Sequence, residues 1–383
     1  MGLSRTDART AYTRSPPGRG RGWVFLYRRF ASIRPAPSLV ALLCAILSIG
    51  CRSAAIEPAL QRFEFAELHM GTSFQVTLYA PNGRAATNAV RAAFKRVTEL
   101  DRRLTDYTDD SELVRLFKAS AGVPHRVSPD LFDVLDKSQR VAELSDGAFD
   151  VTVGPLVQLW RRARRQRELP KPEAIATARQ LVGHEKLTLD RAKHTATLAV
   201  PNMRLDVGGI AKGYAADAAL AVLRERGISR AMVAASGDIA VGDAPPGRGG
   251  WNIGVASIEA KPGAFTRVLL LRNAAVSTSG DTQQFVILGS RRYSHIVDPR
   301  TGVGLTHRIG VTVVASNATI TDALATAVSV MGARRGLELI EKLPDVAALI
   351  VELDAAGGKR LVESSRFSKV PVQPDKPATA NPP

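Results

Sequence analysis

The sequence predicts an α+β fold with helix and strand content mixed along one chain. Phe74, Val76 and Leu78 alternate with polar residues, the period of a half-buried strand. From about Ala85 to Leu100 the apolar residues Val90, Ala93, Phe94 and Val97 fall on one helical face. Near the C-terminal end, VTVVASNATITDALATAVSVMG reads as a buried strand followed by a helix.

The remaining elements follow in order. Phe63–Ala80 holds two strand-like pieces on either side of Met70-Gly71-Thr72, and Asn82-Gly83 turns into the first helix. Asp109 or Asp110 is placed to cap a helix over Ser111–Phe117, with Tyr107 in the loop ahead of it. Pro129–Ser145 is amphipathic, and Ala148-Phe149-Asp150 follows its closing Ser145-Asp146-Gly147 turn. Asp150 beside the apolar run VTVGPLVQLW suits a turn cap as well as a site carboxylate. The basic run Arg161–Lys171 reads as a solvated helix face and loop, ahead of a helix from about Glu173 to Leu181. Leu187–Leu189 and Thr195–Val200 form a hairpin, and Met203–Val207 a strand leading into Gly208 and Gly209. After the next helix, AMVAASGDIAVG is a buried strand with a turn at Ser236-Gly237-Asp238. Trp251–Val255 and Thr266–Leu271 are strands, and Ser277-Thr278-Ser279-Gly280-Asp281 is a small-residue turn. His295 stands at a strand end before an Asp298-Pro299 turn.

Charge is distributed unevenly. The 383 residues carry a formal net charge of +16, of which residues 1–51, with eight arginines and one aspartate, hold +7. The order of Arg-rich segment, short apolar core SLVALLCAILSIG and Cys51 reads as a secretory leader, and the core is too short to span a bilayer. The Gly50–Cys51 junction resembles a bacterial lipoprotein processing site, although Ser48 stands where a leucine is usual. The expected organisation is a leader over 1–51, a single folded domain over 52–365 and a disordered tail over 366–383. An exported protein held at the periplasmic face of the inner membrane by a lipid on Cys51 is the expected location. Cys44 and Cys51 are both in the leader, so the mature chain has neither a disulfide nor a thiolate metal site. With 5% aromatic residues and no recognisable binding module, the remaining charge does not point to nucleic acid.

The chemistry concentrates in LDVGGIAKGYAAD, Leu205–Asp217. Paired glycines entering a helix present backbone N–H groups and the positive end of the helix dipole, a setting for an anion. Lys212 adds a full charge, and a phosphate-bearing ligand is the functional reading; an ordinary strand–helix corner is the plain one. The motif is neither a Walker A loop nor a GxGxxG fingerprint. Asp322 and Thr326, four apart, share a helical face and could offer oxygens to Mg²⁺; Thr319 and Asp322 at capping-box spacing offer a structural alternative.

Taken in order, MGT, DYTDDSELVRL, SDGAFDVTVGPLV, LDVGGIAKGYAAD, STSGD, YSHIVDPRTG and TDALATAVSVMG resemble the ApbE-type FAD:protein FMN transferases, over roughly Phe63–Val362. The resemblance implies a single two-lobed α+β fold with antiparallel sheets and packed helices, FAD lying between the lobes. It implies an enzyme that splits the FAD pyrophosphate, attaches FMN to a threonine of an acceptor protein and releases AMP. Met70, Tyr107, Ala148, Phe149, Asp150 and Lys212 match the family's FAD-contacting positions, as do His295 and Ile296 beside the pyrophosphate. The carbonyl of Gly209, with Asp322 and Thr326, matches its Mg²⁺ ligands, and His295 is the candidate to activate the acceptor hydroxyl, with Lys212 offsetting phosphate charge. The pattern departs from the family at Ala234-Ala235 and at Thr282, which bear on the flavin pocket. Two other readings compete: an FAD pyrophosphatase that uses water as acceptor, and a flavin-binding protein without turnover.

Overall fold

The computed structural model describes residues 59–256, 265–280, 284–354 and 358–373. Cys44, Cys51 and the rest of the leader lie outside them, as do Asp281, Thr282 and residues 374–383. The described residues form one compact unit. Among the described residues no helix is long and apolar enough to cross a membrane.

The unit is built on one antiparallel sheet. Strands β1 (Gln61–His69) and β2 (Thr72–Ala80) form a hairpin whose turn residues Met70 and Gly71 both have positive φ, 50° and 72°. The hairpin is followed by α1 (Gly83–Leu104), capped by the Asn82 side chain, α2 (Glu112–Lys118), the short β3 (His125–Arg126) and α3 (Pro129–Leu144). Ser111 caps α2 by accepting the Val114 N–H at 3.0 Å; neither Asp109 nor Asp110 does so, and Asp109 pairs with Lys118 instead. Next come α4 (Gly154–Gln166), α5 (Pro172–Arg179) and a hairpin of β4 (Leu187–Asp190) and β5 (Thr195–Leu198). Helix α6 (Ala211–Glu225) leads to β6 (Ala231–Ala235) and β7 (Asp238–Val241). Then follow β8 (Trp251–Ala256), β9 (Phe265–Leu271), β10 (Ala274–Gly280), β11 (Phe285–Leu288) and β12 (Arg291–Ser294). The last elements are β13 (Arg308–Ala315), α7 (Ala318–Glu341), β14 (Ala347–Leu353) and β15 (Lys359–Glu363). The main sheet has the order β1-β2-β6-β7-β10-β13-β14-β15, every pairing antiparallel.

Both faces of its middle are covered. On one, Val233, Val311, Val313 and Ile350 pack with Val97 of α1, Leu223 of α6 and Val328 of α7. On the other, Val276, Val314, Leu349 and Val351 meet Trp251 and Ile253 of β8 and Leu269 of β9. Neighbouring residues of β13 therefore face two different cores, which is why Val313 and Val314 can be apolar in succession. A smaller core of Leu156 and Trp160 from α4, Ala178 from α5 and Tyr293 from β12 stands beside the main one.

Three further sequence expectations change. Met203, Leu205 and Val207 are buried in alternation, but the segment has no strand partner and makes only one isolated bridge, Arg204 with Val153. Ser277–Gly280 is strand rather than turn, because its small residues let helix and neighbouring strand approach: Ser277 Oγ lies 2.8 Å from Thr321 Oγ1 of α7 and Thr278 Oγ1 3.1 Å from Thr312 Oγ1. Residues 366–373, expected as tail, are part of the fold: Phe367 is buried in the second core and Val372 bridges to Leu269.

Candidate active site

The site forms where the N-terminal ends of α6 and α7 meet. Asp206 Oδ1 accepts the Gly208 N–H at 2.8 Å, folding the chain sharply into the paired glycines. Helix α6 then begins at an N-cap, Ile210, that has no capping side chain. Asp322 of α7 fills that role from outside, accepting the Gly213 N–H at 3.1 Å. Gly213 permits the approach: a Cβ there would lie 2.1 Å from the Ala318 carbonyl oxygen.

The capping-box alternative for Asp322 fails on this geometry. Asn317 caps α7 through the Ile320 N–H, and the Thr319 hydroxyl donates to Asp217, not toward Asp322. Asp217 also accepts the Ala318 and Thr319 amides at 2.8 Å, so α6 and α7 cap one another. Asp322 is thereby left free of α7's own capping and turned toward Lys212.

The Lys212 ammonium sits between two carboxylates, 3.0 Å from Asp238 and 3.4 Å from Asp322, and donates to the Gly208 carbonyl at 3.2 Å. Asp238 and Asp322 are 4% and 5% exposed, so the cluster carries two buried acids and one half-buried base. Burial, and then the neighbouring Asp238 charge, push the Asp322 carboxyl up to about 7, while Lys212 pulls the other way. Burial also works against the Lys212 charge, but Asp238 and Asp322 outweigh it and raise its pKa. Fully ionised, the cluster is one positive charge short of neutral.

Gly209 lies against α7. A Cβ on it would be 3.1 Å from Thr326 Oγ1 and 3.3 Å from the Phe149 ring. Lys212, Gly209, Asp322, Thr326 and Phe149 are thus one contiguous group. Ala148 and Ile296 join in a separate apolar cluster with Leu305 and Val330 of α7. His295 precedes Ile296, and both its backbone N–H and its Nδ1 lie 3.0 Å from the Gln284 carbonyl oxygen. Asp150 is buried; it accepts from the Thr152 N–H and hydroxyl at 2.8 and 2.7 Å, and burial raises its carboxyl pKa. It lines a cleft of about 590 Å³ with Arg179, His184 and Arg300, so it is at once a turn cap and a cleft residue. Tyr107 is 77% exposed, and its ring lies 4.6 Å from the Arg161 guanidinium. Met70 donates its N–H to Asp101 of α1 at 2.9 Å and packs on the main core.

Two residues escaped the sequence reading. Asp238 is the shortest ion-pair partner of Lys212, and only the β6–β7 hairpin register brings it there. Its signal was a carboxylate directly after the Ser236-Gly237 turn. Arg161, hidden in an arginine run, is tied to Asp106 and, at 2.9 Å, to Asp206.

Among the described residues no group of three or more His, Cys, Asp or Glu side chains is arranged to hold a metal. The donors present are Asp322, Asp238, the Thr326 hydroxyl and the Gly209 backbone, an all-oxygen set. Such a set suits Mg²⁺, which binds through one or two carboxylates and keeps water and phosphate oxygens for the rest. The Lys212 ammonium bridging both acids stands in for such a cation, so the residues fit one.

Fold and site together define an α+β protein with two helix N-termini closing over a buried acid–lysine cluster. Residues 70–350 match the ApbE family, and the chain belongs to that family. It is 30% identical to the FAD:protein FMN transferase of Vibrio cholerae over 331 residues, 85% of this chain and 97% of that one. The FAD:protein FMN transferase of Haemophilus influenzae is 31% identical over 314 residues, 79% of this chain and 89% of its own. Among solved structures, the flavin transferase ApbE from Vibrio cholerae superposes with a TM-score of 0.72 at 27% identity, covering 81% of this chain and 99% of that chain. The apo flavinyl transferase ApbE of Pseudomonas stutzeri gives 0.72 at 28% identity, over 82% and 97%.

Proposed function

We propose that this protein is an FAD:protein FMN transferase, which splits the FAD pyrophosphate, links FMN to a threonine of an acceptor protein and releases AMP. The observation that carries the reading is the Lys212 ammonium held between Asp238 and Asp322 at the start of α6, with Gly209 and Thr326 adjoining. Membership of a family whose relatives bear that activity in their names supports it.

Phosphoryl transfer asks the protein mainly to position the groups and to neutralise charge. Asp322, Thr326 and the Gly209 carbonyl would hold Mg²⁺, which when bound neutralises phosphate oxygens and orients them. Lys212 supplies a second positive charge, and Asp238 keeps its ammonium at the helix terminus. His295 is the proposed base toward the acceptor threonine. With Nδ1–H donated to the Gln284 carbonyl, the neutral ring carries its basic lone pair on Nε2, and the second bond from the backbone fixes the ring's direction. Met70, Tyr107, Ala148, Phe149, Asp150 and Ile296 are proposed to hold FAD; Tyr107 offers an exposed ring to the flavin and Asp150 lines the neighbouring cleft.

The test is incubation of the mature chain with FAD, Mg²⁺ and a threonine-bearing acceptor domain. Flavin fluorescence migrating with the acceptor on a denaturing gel, together with AMP in solution, is the expected result. Free FMN with no labelled acceptor would instead establish a pyrophosphatase. His295→Ala is expected to keep FAD binding and lose transfer; unchanged transfer removes His295 from the role. We also propose export and lipid anchoring on Cys51, on the strength of the leader sequence alone. Mass spectrometry of the processed N-terminus checks it, and an unmodified residue other than Cys51 at that position refutes it.

A further inference from the structure

Four arginines lie close together on α4, and one of them differs from the rest. Arg162 and Arg165 are exposed, whereas the Arg161 side chain is only 20% exposed and engages three groups. One edge of its guanidinium pairs with Asp106 and the other with Asp206 at 2.9 Å. Its central Cζ lies over the Tyr107 ring, 4.6 Å from the ring centre. Asp106 and Tyr107 are neighbours in the α1–α2 loop, so a single guanidinium grips that loop by a carboxylate and by an aromatic face. Asp206, on the far side, holds the Gly208 N–H at 2.8 Å. The helix behind this arrangement is itself fixed, because Trp160 Nε1 donates to the Gly302 carbonyl at 2.8 Å.

We propose that Arg161 is a positioning residue that locks the Tyr107 ring to the Gly208–Gly209 turn. The proposal rests on the reading above for its consequence, since Tyr107 is there a flavin contact and Gly209 a metal-binding carbonyl. The chemistry requires arginine. A lysine could satisfy one carboxylate, but it has no planar fork for two and no flat face to lay on a ring. Tyr107 is backed by the cation on one side and remains 77% exposed, as a stacking platform requires. Through Arg161 and Asp206, any displacement of that platform is passed to the turn that carries Gly209. A flavin ring on Tyr107 and a diphosphate at Lys212 are thus held at a set separation by a side chain that need touch neither.

Two measurements decide it. In the FAD-free and Mg²⁺-free mature protein, Arg161→Gln is expected to speed hydrogen exchange about tenfold in the 105–108 and 206–209 segments together. Arg161→Lys is expected to slow the 206–209 segment again without restoring the first. Exchange that rises in one segment alone, or in neither, overturns the link. FAD affinity, read from flavin fluorescence at saturating Mg²⁺, is then measured for Arg161→Gln, Tyr107→Ala and the double variant. Each single change is expected to weaken binding about tenfold, and the double change by about the same, not by the hundredfold of independent effects. Fully additive losses, or undiminished affinity in Arg161→Gln beside a loss in Tyr107→Ala, overturn the proposal while sparing the flavin contact. Unchanged affinity in Tyr107→Ala with coupled exchange sinks the flavin contact and sustains the link. Far-UV circular dichroism of each variant confirms that the fold is intact.

Discussion

Replacing Gly213 by alanine places a methyl carbon where the structure has no room for one. The new Cβ would stand 2.1 Å from the Ala318 oxygen, 2.6 Å from its carbonyl carbon and 3.0 Å from Asp322 Cβ. Relief requires α6 and α7 to part by about 1 Å, since C···O contacts below roughly 3 Å are strongly repulsive. Overpacking of this kind typically costs about 1–3 kcal/mol, against a gain of about 1 kcal/mol from alanine's helix propensity. A net loss of about 0–2 kcal/mol lowers the melting temperature of a chain this size by a few degrees at most. The larger consequence is for the site. The same movement lengthens the 3.1 Å bond from Gly213 to Asp322 and shifts the carboxylate relative to Gly209. Misplacing a catalytic group by about 1 Å is enough for a loss near 10²-fold. The assay is FMN transfer at saturating FAD and Mg²⁺, beside a thermal melt. Gly83→Ala is the control, because a Cβ there meets only Phe63 at 3.6 Å. Wild-type transfer by Gly213→Ala would refute the claim that close contact between the two helix termini builds the site.

Asp322, with its pKa pushed up to about 7, makes Mg²⁺ compete with a proton. Calorimetric Mg²⁺ affinity should therefore rise with pH up to about 7 and level off above it; a flat profile between pH 5 and 8 counts against the ligand assignment. The sign for stability is opposite. A folded-state pKa above the unfolded value stabilises fully below about 4, and that contribution is lost as pH rises toward 7, so Mg²⁺-free protein should lose this part of its stability in urea melts over that window. Asp238→Asn should reduce transfer more than it reduces Mg²⁺ affinity, because its carboxylate is the nearer partner of Lys212; equal loss in both makes it a metal ligand. Asp130, buried on α3, binds Arg96, Arg103 and the Tyr214 hydroxyl, and its carboxyl is held below the usual range by Arg96 despite opposing burial. Asp130→Ala should cost about 3 kcal/mol in a urea melt and leave FAD affinity unchanged.

The amino-acid order disclosed the parts of the site that depend on local geometry. Gly209 and Lys212 share one turn, and Asp322 and Thr326 share one helical face, so each pair is legible from spacing alone. Their meeting is not, because it depends on Gly213 admitting α7, a steric fact about a residue more than a hundred positions away. Asp238 was seen only as part of a turn, since its role depends on the hairpin of β6 and β7 and on the neighbouring β10. The Ser277–Gly280 error has a related cause. Small polar residues favour turns in isolation, yet here they let α7 lie close on β10, with Ser277 touching Thr321. Met203–Val207 failed for the opposite reason: alternation reports which side is buried, and a strand also needs a partner.

The charge balance of the cluster explains why a lysine belongs where a metal is proposed. Two carboxylates at 4% and 5% exposure would repel one another strongly with no cation near them. The Lys212 ammonium lets the fold form around them before any ligand arrives. It does so incompletely: burial, and then the Asp238 charge, still push the Asp322 carboxyl up against the pull of Lys212. A divalent cation at Asp322, Thr326 and Gly209 would take over that carboxylate, and Asp238, at 3.0 Å, would still retain the ammonium. The ammonium, released from Asp322 alone, would then lie at the N-terminus of α6, where backbone amides and the helix dipole already favour an anion. On this account binding of the metal and of the diphosphate reinforce each other through Lys212. Its partial neutralisation of two acids both permits the cluster to fold and would prime it for the pair.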